Sequence, residues 1–243
     1  FPAMISLICI FFVGISGGAF ASFASALLLT AIILLGVGMT LFTSRLLSKT
    51  LLRGVPSSFA LELPPYRRPQ IGKVIVRSVF DRTLFVLGRA AAVAAPAGAL
   101  LWLLANVTVG DASLLAHTAA FLDPLGRLLG MDGVILTAFI LGFPANEIVI
   151  PIAVMAYTVG GTLTDVGDLA AMREILTANG WTPLTAVCTI LFSLMHWPCS
   201  TTVMTIRKET GSLRHTLAAV LLPTLVGALV CFLVATAARL IGG

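Results

Sequence analysis

The sequence predicts an all-α fold: a polytopic membrane helix bundle with a broken or re-entrant helix pair at residues 142–151. Three observations support this fold class, namely the composition, the distribution of charge along the chain, and the interruption of an apolar run. Hydrophobic residues make up 58% of the chain and charged residues 10%, whereas a soluble domain carries about a quarter charged residues. The mean hydropathy of +1.07 agrees. A water-soluble globular protein is therefore excluded.

The distribution of charge indicates a membrane topology and no nucleic-acid partner. The net charge is +5, but the basic residues are concentrated in short segments beside apolar runs, as in cytoplasmic loops. The four cysteines have no paired spacing and lie in or beside apolar runs, which favours packing or metal ligation over a disulfide framework. They are Cys9, Cys188, Cys199 and Cys231.

The N-terminal part of the chain, residues 1–44, is predicted to form transmembrane helices. Residues 4–15 are apolar but too short to cross a bilayer, whereas residues 20–42 reach the roughly 20 apolar residues that a span needs. The chain begins without Met, inside apolar sequence. We therefore expect it to be a piece of a longer protein, entered through a broken helix ahead of Phe1.

Residues 45–82 form a basic segment that is predicted to be a cytoplasmic loop. Eight Lys and Arg residues stand there against two acidic residues, Glu62 and Asp81. Because cytoplasmic loops carry an excess of Lys and Arg, this composition places the segment inside the cell. A polybasic surface can also bind anionic lipid headgroups, which is the alternative interpretation.

The remaining domain, residues 83–243, alternates apolar runs with charged connections. We predict spans at residues 83–107, 182–203 and 216–241, external acidic segments at 110–132 and 160–180, and a cytoplasmic basic turn at 207–214. If residues 133–157 crossed completely, the basic turn would lie outside, against the positive-inside rule. A re-entrant hairpin with its tip at Gly142, Phe143 and Pro144 puts every connection on its expected side.

Two apolar segments are interrupted in ways that indicate a functional site. Gly142 and Pro144 break the first segment, and they are followed by Asn146 and Glu147, which place an amide and a carboxylic acid at membrane depth. Irregular backbone and charge are tolerated there only against protein or a water-filled cavity. The second segment is interrupted by Pro198, which deprives the carbonyl of residue 194 of its helical donor. Paired broken helices are typical of a transporter's substrate site.

Three side chains at these interruptions are candidate metal ligands: Glu147, His196 and Cys199. His196 and Cys199 are three residues apart, so they would share one face if the helix continued through Pro198. Together they offer oxygen, nitrogen and sulfur, a set that suits a borderline divalent transition metal better than Mg²⁺ or Ca²⁺. The alternatives stay open that Glu147 is a capping acid and that His196 only forms a hydrogen bond inside the bundle.

Four motifs resemble the C-terminal membrane region of ferrous iron transport protein B (FeoB), which contains the second gate, a nucleoside-recognition-like domain. They are GFPANEIVIP at residues 142–151, HWPCSTT at 196–202, IRKETGS at 206–212 and LELPPYR at 61–67. The resemblance implies uptake of Fe²⁺ as a transported substrate, with no permanently bound cofactor, across the cytoplasmic (inner) membrane of a bacterium or archaeon. It implies gate or transport roles for residues of the two interruptions: Gly142, Pro144, Asn146, Glu147, Pro198, Ser200 and Thr201.

The same resemblance defines what else we expect to take part. No Gly-x-x-x-x-Gly-Lys-Ser/Thr phosphate loop occurs in these residues, so we predict that this chain is not an enzyme and that GTP and Mg²⁺ act only through a missing N-terminal domain. The expected partners are the lipid bilayer, that GTPase domain with the first gate, a small accessory transport protein and further copies in a homo-oligomer. Residues 1–44 would then be the truncated end of the first gate.

Two other functions remain as alternatives. One is a gate-type transporter of an organic solute such as a nucleoside, which would share the broken helices but would not depend on Cys199. The other is a non-transporting membrane scaffold that docks a regulator through the basic segment at residues 45–82.

Overall fold

Helices make up nearly all of the structure, a computed structural model that describes residues 2–13, 19–50, 71–77, 80, 83–110, 112–158 and 169–242. Within these residues the β-structure is one antiparallel pair, β1 (Thr108–Val109) and β2 (Ala112–Ser113), with Thr108 opposite Ser113. The predicted all-α class is therefore confirmed.

The N-terminal helices include the first predicted span. Helix α1 (Pro2–Ile8) continues as a π-helix, Cys9–Val13, and α2 (Ala19–Thr50) is 32 residues long. Helix α2 thus extends beyond the predicted end of the span at residue 42 and carries Lys49 in its last turn, where a cation stabilises the negative end of the helix dipole. The next two helices are α3 (Ile71–Arg77) and α4 (Phe85–Asn106).

A sharp bend joins α5 (Leu114–Leu128) to α6 (Gly133–Leu141). The two helix axes differ in direction by 109°, and their backbones touch where they cross, because a Cβ atom at Gly133 would lie 1.8 Å from the carbonyl oxygen of Ala119. Helix α5 was not predicted; the sequence analysis treated residues 110–132 as an acidic connection. Its burial of Leu115, Ala119 and Gly126 follows the helical period, which was the missed signal.

Helix α6 and helix α7 (Val149–Tyr157) are the arms of the predicted hairpin, separated by an irregular turn and the 3₁₀ helix Asn146–Ile148. Nine residues of α6 extend about 14 Å, roughly half of a hydrocarbon core about 30 Å thick. Tyr157, at the end of α7, donates a hydrogen bond to Asp132, which caps the start of α6. The predicted break is confirmed, and this bond between the two arms supports a re-entrant path. We call the end of the hairpin with Asp132 and Tyr157 the mouth, and the turn and 3₁₀ helix at residues 142–148 the tip.

The C-terminal half consists of α8 (Leu169–Ala178), α9 (Pro183–Met195), α10 (Ser200–Thr210) and α11 (Leu213–Gly242). Among the described residues, three helical segments are long and apolar enough to cross a membrane, and a fourth is added if the bent α5–α6 pair is one span. They are Ser22–Lys49, Pro183–Thr210 and Leu213–Ile241. The apolar part of α4, Ala94–Asn106, is shorter.

Buried and exposed apolar side chains are segregated between the helices. The hydrophobic core is built mainly by α6, α7 and α9, with Phe139, Ile152 and Phe192 each 3% exposed or less. The long helices α2 and α11 instead expose large apolar side chains, such as Leu34 at 65% and Leu225 at 64%. Since an exposed apolar surface of this kind is stable in lipid and not in water, the arrangement fits a multi-pass membrane protein.

Some predicted features lie outside the described residues. They include residues 51–70, 78–79 and 81–82 of the basic segment, and residues 159–168 of the second acidic segment.

Candidate functional site

The two interrupted segments meet in the structure. The backbone N–H of Ser200, the first residue of α10, donates to the carbonyl of Phe143 at the hairpin tip, with an N···O distance of 3.0 Å. The hydroxyl of Ser200 lies 3.4 Å from the carbonyl oxygen of Pro144. The N-terminus of a half-helix in the second segment therefore takes up a carbonyl that the first interruption has freed.

The first interruption depends on a glycine. The N–H of Gly142 still donates to Ala138 O (2.8 Å), and the N–H of Ala145 donates to Gly142 O (3.0 Å), which closes a tight turn around Pro144. A Cβ atom at Gly142 would lie 2.6 Å from Cγ2 of Val149 and 2.9 Å from the carbonyl oxygen of Ala138. A larger residue would therefore push the arms of the hairpin apart.

The second interruption ends α9 at Met195 and begins α10 at Ser200. The N–H of His196 makes the last helical bond, to Phe192 O at 2.8 Å, and Cys199 stands at the N-cap position of α10. The helix does not continue through Pro198, so the spacing of three residues does not place His196 and Cys199 on one helical face. A shared face was predicted only for a helix that continues through Pro198, and that condition is not met.

His196 is buried among aromatic rings and keeps one nitrogen without a partner. It is 7% exposed, with ring centroids 5.0 Å from Phe139, 5.8 Å from Phe192 and 5.5 Å from Trp197. Its Nδ1 lies 2.9 Å from the carbonyl oxygen of Ser193. A carbonyl only accepts hydrogen bonds, so Nδ1 carries the proton and Nε2 presents a lone pair. Among the described residues, Nε2 has no hydrogen-bond partner.

Two further buried polar atoms at the interruptions have no partner among the described residues: Oδ1 of Asn146 and Nε1 of Trp197. Buried polar atoms are satisfied in the great majority of cases, so three such atoms at the two interruptions are unusual. An amide oxygen and an imidazole nitrogen can each accept a hydrogen bond or bind a cation, and an indole N–H can donate a hydrogen bond.

Cys199 and Glu147 are more accessible than His196. The thiol of Cys199 is half-buried and lies 3.2 Å from the hydroxyl of Thr201 and 3.1 Å from that of Thr202. Glu147 is exposed in the 3₁₀ turn at the hairpin tip. No three His, Cys, Asp or Glu side chains in the described part of the chain form a group that could hold a metal ion. The ligand set of Glu147, His196 and Cys199 therefore stays a prediction.

The mouth of the hairpin carries a polar network that the sequence analysis did not identify. The carboxylate of Asp132 accepts from Tyr157 and from the N–H of Ile135 (2.7 Å), and Nε1 of Trp181 donates to the Tyr157 hydroxyl at 2.9 Å. The N–H of Gly133 donates to Asp123 at 3.2 Å. An Asp directly before an apolar run is a helix N-cap signal, so the role of Asp132 was accessible from sequence. The contacts to Tyr157 and Trp181 were not, because they join distant residues.

Comparisons with known proteins give two matched domains and a group of relatives. Residues 29–82 match the family described as ferrous iron transport protein B C terminus, and residues 87–213 match the Gate family, described as nucleoside recognition. No solved structure matches the chain.

The relatives share one name, Fe(2+) transporter FeoB. The protein from Staphylococcus aureus (strain MSSA476) is 30% identical over 226 residues, which covers 89% of this chain and 32% of the relative. Those from Leptospira interrogans (strain Fiocruz L1-130) and Methanocaldococcus jannaschii are 27% and 26% identical, covering 77% and 81% of this chain and 30% of each relative. The chain thus spans about a third of the length of these curated relatives.

Proposed function

Because the chain belongs to the Gate family and carries ahead of that domain the C-terminal domain of FeoB, we propose that it forms part of the path by which a transporter moves Fe²⁺ across the cell membrane. Neither matched family is a catalytic one. The names of the relatives support iron as the transported ion over an organic solute.

The observation that carries this proposal is the hydrogen bond between the two interrupted segments, from Ser200 N–H to the carbonyl of Phe143. The hairpin tip is about 14 Å along α6 from the mouth, and the interruption in the Pro183–Thr210 segment lies near its centre. Substrate sites of transporters form where discontinuous helices meet near the bilayer midplane. The contact of Ser200 with Phe143 and Pro144 joins two discontinuous helices, which supports a substrate site of this kind at that contact.

His196 is the nitrogen donor near the contact of the interrupted segments whose hydrogen bonding best suits a metal ligand. Metal-binding histidines commonly donate their second ring N–H to a backbone carbonyl, which fixes the tautomer and leaves the other nitrogen for the metal. The Nδ1 contact with Ser193 and the unpartnered, buried Nε2 match this arrangement. The Oδ1 of Asn146 adds a neutral oxygen donor that is likewise without a partner among the described residues.

Cys199 and Glu147 are proposed to capture or release the ion where the site is more open. The Cys199 thiol lies at the N-terminus of α10 beside the hydroxyls of Thr201 and Thr202, and a cysteine binds metal as the thiolate. Imidazole, thiolate and carboxylate suit Fe²⁺, and the same donors tolerate neighbouring divalent ions, so selectivity would come from geometry.

The other components of a complete transporter belong to the same proposal. A GTPase domain and a first gate in the same protein would supply nucleotide hydrolysis and the rest of the pore. A small accessory transport protein and a homo-oligomer are further proposed partners. Gly142, Pro144, Pro198 and Thr201 would act by shaping the two interruptions and would not touch the ion.

The proposal is tested by measuring ⁵⁵Fe²⁺ uptake into cells that express the transporter with single substitutions. We expect Cys199→Ser and Glu147→Gln each to reduce uptake at least about tenfold, the lower limit seen when groups around a metal are lost. Cys9→Ser is the matched control, since Cys9 is a half-buried thiol in the π-helix, away from both interruptions. Normal uptake by both Cys199→Ser and Glu147→Gln would contradict the proposal.

A further inference from the structure

A cavity of about 350 Å³ opens beside the interruption in the second segment. One wall is the last turn of α9, Leu194 and Met195, directly before His196. The other walls are residues 36–47 of α2 and residues 218–226 of α11. A Cβ atom at Gly36 would lie 3.4 Å from Cδ2 of Leu194, an ordinary van der Waals distance, so α2 packs directly against α9 at the end of the cavity nearest the interruption.

The cavity lies on the side of the interruption that we predict to be cytoplasmic. Its α2 wall leads towards Lys49 and the basic segment that follows, and its α11 wall belongs to the first half of a helix that starts after the basic turn at residues 207–214. Both connections are rich in Lys and Arg, which are concentrated in cytoplasmic loops. The cavity therefore begins at the last turn of α9, directly before the second interruption, and extends along α2 and α11 towards the cytoplasm.

The polar groups that line the cavity are uncharged and contain oxygen and sulfur atoms. Three hydroxyls lie along one face of α2, at Thr40, Thr43 and Ser44, and the thioethers of Met39 and Met195 also line the space. The described lining residues include no charged side chain.

Two residues of the lining have a carbonyl that lacks its helical donor because of a proline four residues later. Pro198 cannot donate to the carbonyl of Leu194, and Pro223, inside α11, cannot donate to the carbonyl of Ala219. Both carbonyls belong to residues that line the cavity.

We propose that this cavity is a water-filled exit vestibule through which a divalent cation passes from the meeting point of the interrupted segments to the cytoplasm, a proposal that rests on the proposed function. Hydroxyl, carbonyl and thioether groups replace part of a hydration shell, yet they hold a doubly charged ion less tightly than carboxylates would. Conduction requires this balance, because an ion must bind well enough to enter and weakly enough to leave. The aliphatic remainder of the wall, including Leu47 and Leu222, contributes no further ligands.

The test compares two neighbouring positions on α2. Thr43 lines the cavity, whereas Phe42 is 58% exposed on the surface that we assign to lipid. Thr43→Cys and Phe42→Cys are treated in inside-out membrane vesicles with a charged, membrane-impermeant methanethiosulfonate. We expect Thr43→Cys to react at least about tenfold faster, since the reactive thiolate forms in water and not in hydrocarbon. Anaerobic Fe²⁺ added beforehand should slow the Thr43→Cys reaction only.

Equally slow labelling of both variants would overturn the vestibule and show that lipid or protein fills the space. If Thr43→Cys does not fold, Ser44→Cys against Leu41→Cys is the second pair, because Ser44 lines the cavity and Leu41 is 66% exposed. Labelling does not require transport, so the two proposals fail separately. If Thr43→Cys is not labelled but iron uptake still depends on Cys199, only the vestibule is rejected. If Thr43→Cys is labelled but iron uptake does not depend on Cys199, the role of the interruptions is rejected.

Discussion

The mouth and the tip of the α6–α7 hairpin differ in whether their buried polar groups have hydrogen-bond partners. At the mouth, the carboxylate of Asp132, the hydroxyl of Tyr157 and the indole N–H of Trp181 satisfy one another. At the tip and the interruption facing it, Asn146 and His196 each retain a buried polar atom with no partner among the described residues. One chain therefore completes its hydrogen bonds at one end of a hairpin and leaves them open at the other.

This difference separates polar groups that hold the fold together from those that are available to a substrate. A satisfied hydrogen bond contributes about 1 kcal/mol to stability, whereas a buried polar group without a partner costs about 1–3 kcal/mol. The tip is thus destabilising unless an ion or water completes it. Substitutions in the polar network at the mouth should reduce stability, whereas substitutions of the polar side chains without a partner should reduce uptake with little loss of stability.

The largest effect is expected from Gly133→Ala at the mouth. The added Cβ would lie 1.8 Å from the carbonyl oxygen of Ala119 and 2.6 Å from the amide nitrogen of Asp123, and both belong to rigid helix backbone. Overpacking of this kind should cost at least about 3 kcal/mol. We expect most of the protein to be lost as aggregate in fluorescence-detected size-exclusion chromatography in detergent.

Gly38→Ala is the matched control, because a Cβ atom at Gly38 meets nothing within 4 Å on the exposed surface of α2. Alanine is the better helix former by about 1 kcal/mol, so this variant should elute as the parent does. A monodisperse Gly133→Ala protein would show that the crossing of α5 and α6 is looser than the structure has it.

His196→Phe should show the opposite behaviour at the second interruption. Phenylalanine keeps the ring contacts with Phe139, Phe192 and Trp197 but removes both nitrogens. The free energy of unfolding should change by less than about 1 kcal/mol. The loss of one hydrogen bond is offset by the removal of a buried polar atom that has no partner. Uptake of ⁵⁵Fe²⁺ per folded molecule should fall at least about tenfold.

His117→Phe is the control for this substitution. His117 makes a similar contact, from Nδ1 to the carbonyl oxygen of Ser113 at 3.0 Å, but it is exposed on α5. Its replacement should leave uptake unchanged. Equal uptake by the two variants would show that His196 only packs, which was the alternative that the sequence left open.

Tyr157→Phe tests the mouth with a smaller perturbation. The substitution removes the hydroxyl that donates to Asp132 and accepts from Trp181, and it leaves both partners without that contact. We expect a loss of about 1–3 kcal/mol in the free energy of unfolding, measured by thermal denaturation in detergent. Uptake per folded molecule should stay within about twofold, a difference near 0.4 kcal/mol. Lost uptake with unchanged stability would remove the distinction between mouth and tip.

Features of the fold that have a local cause in the sequence were predictable, and others were not. The interruptions at Pro144 and Pro198 were predictable because proline lacks an N–H and glycine is a poor helix former. The re-entrant path was predicted because the charges of the connections constrain topology, and the bond from Tyr157 to Asp132 supports it. Helix α5 was missed because the acidic residues of segment 110–132 were interpreted as marking a loop before the period of Leu115, Ala119 and Gly126 was considered.

The site itself was predictable by residue type but not by arrangement. The sequence predicts that Asn146, His196 and Ser200 belong to a functional region, but it leaves open whether the helix continues through Pro198, and the structure interrupts it there. The bond from Ser200 to Phe143 joins residues 57 positions apart and depends on how α6 and α9 pack. No local pattern specifies that contact, so only three-dimensional packing reveals it.

The smallest effect is expected at Ser200, where side chain and backbone make separate contacts. Ser200→Ala removes a contact of 3.4 Å to the carbonyl of Pro144, which is too long to contribute more than about 0.5 kcal/mol. Ser200→Pro also removes the N–H that donates to Phe143, although proline is well tolerated at the first position of a helix and after the extended backbone of Cys199. Uptake should therefore be near normal for Ser200→Ala and clearly lower for Ser200→Pro. Equal uptake by the two variants would mean that the backbone bond between the interrupted segments does not maintain the path.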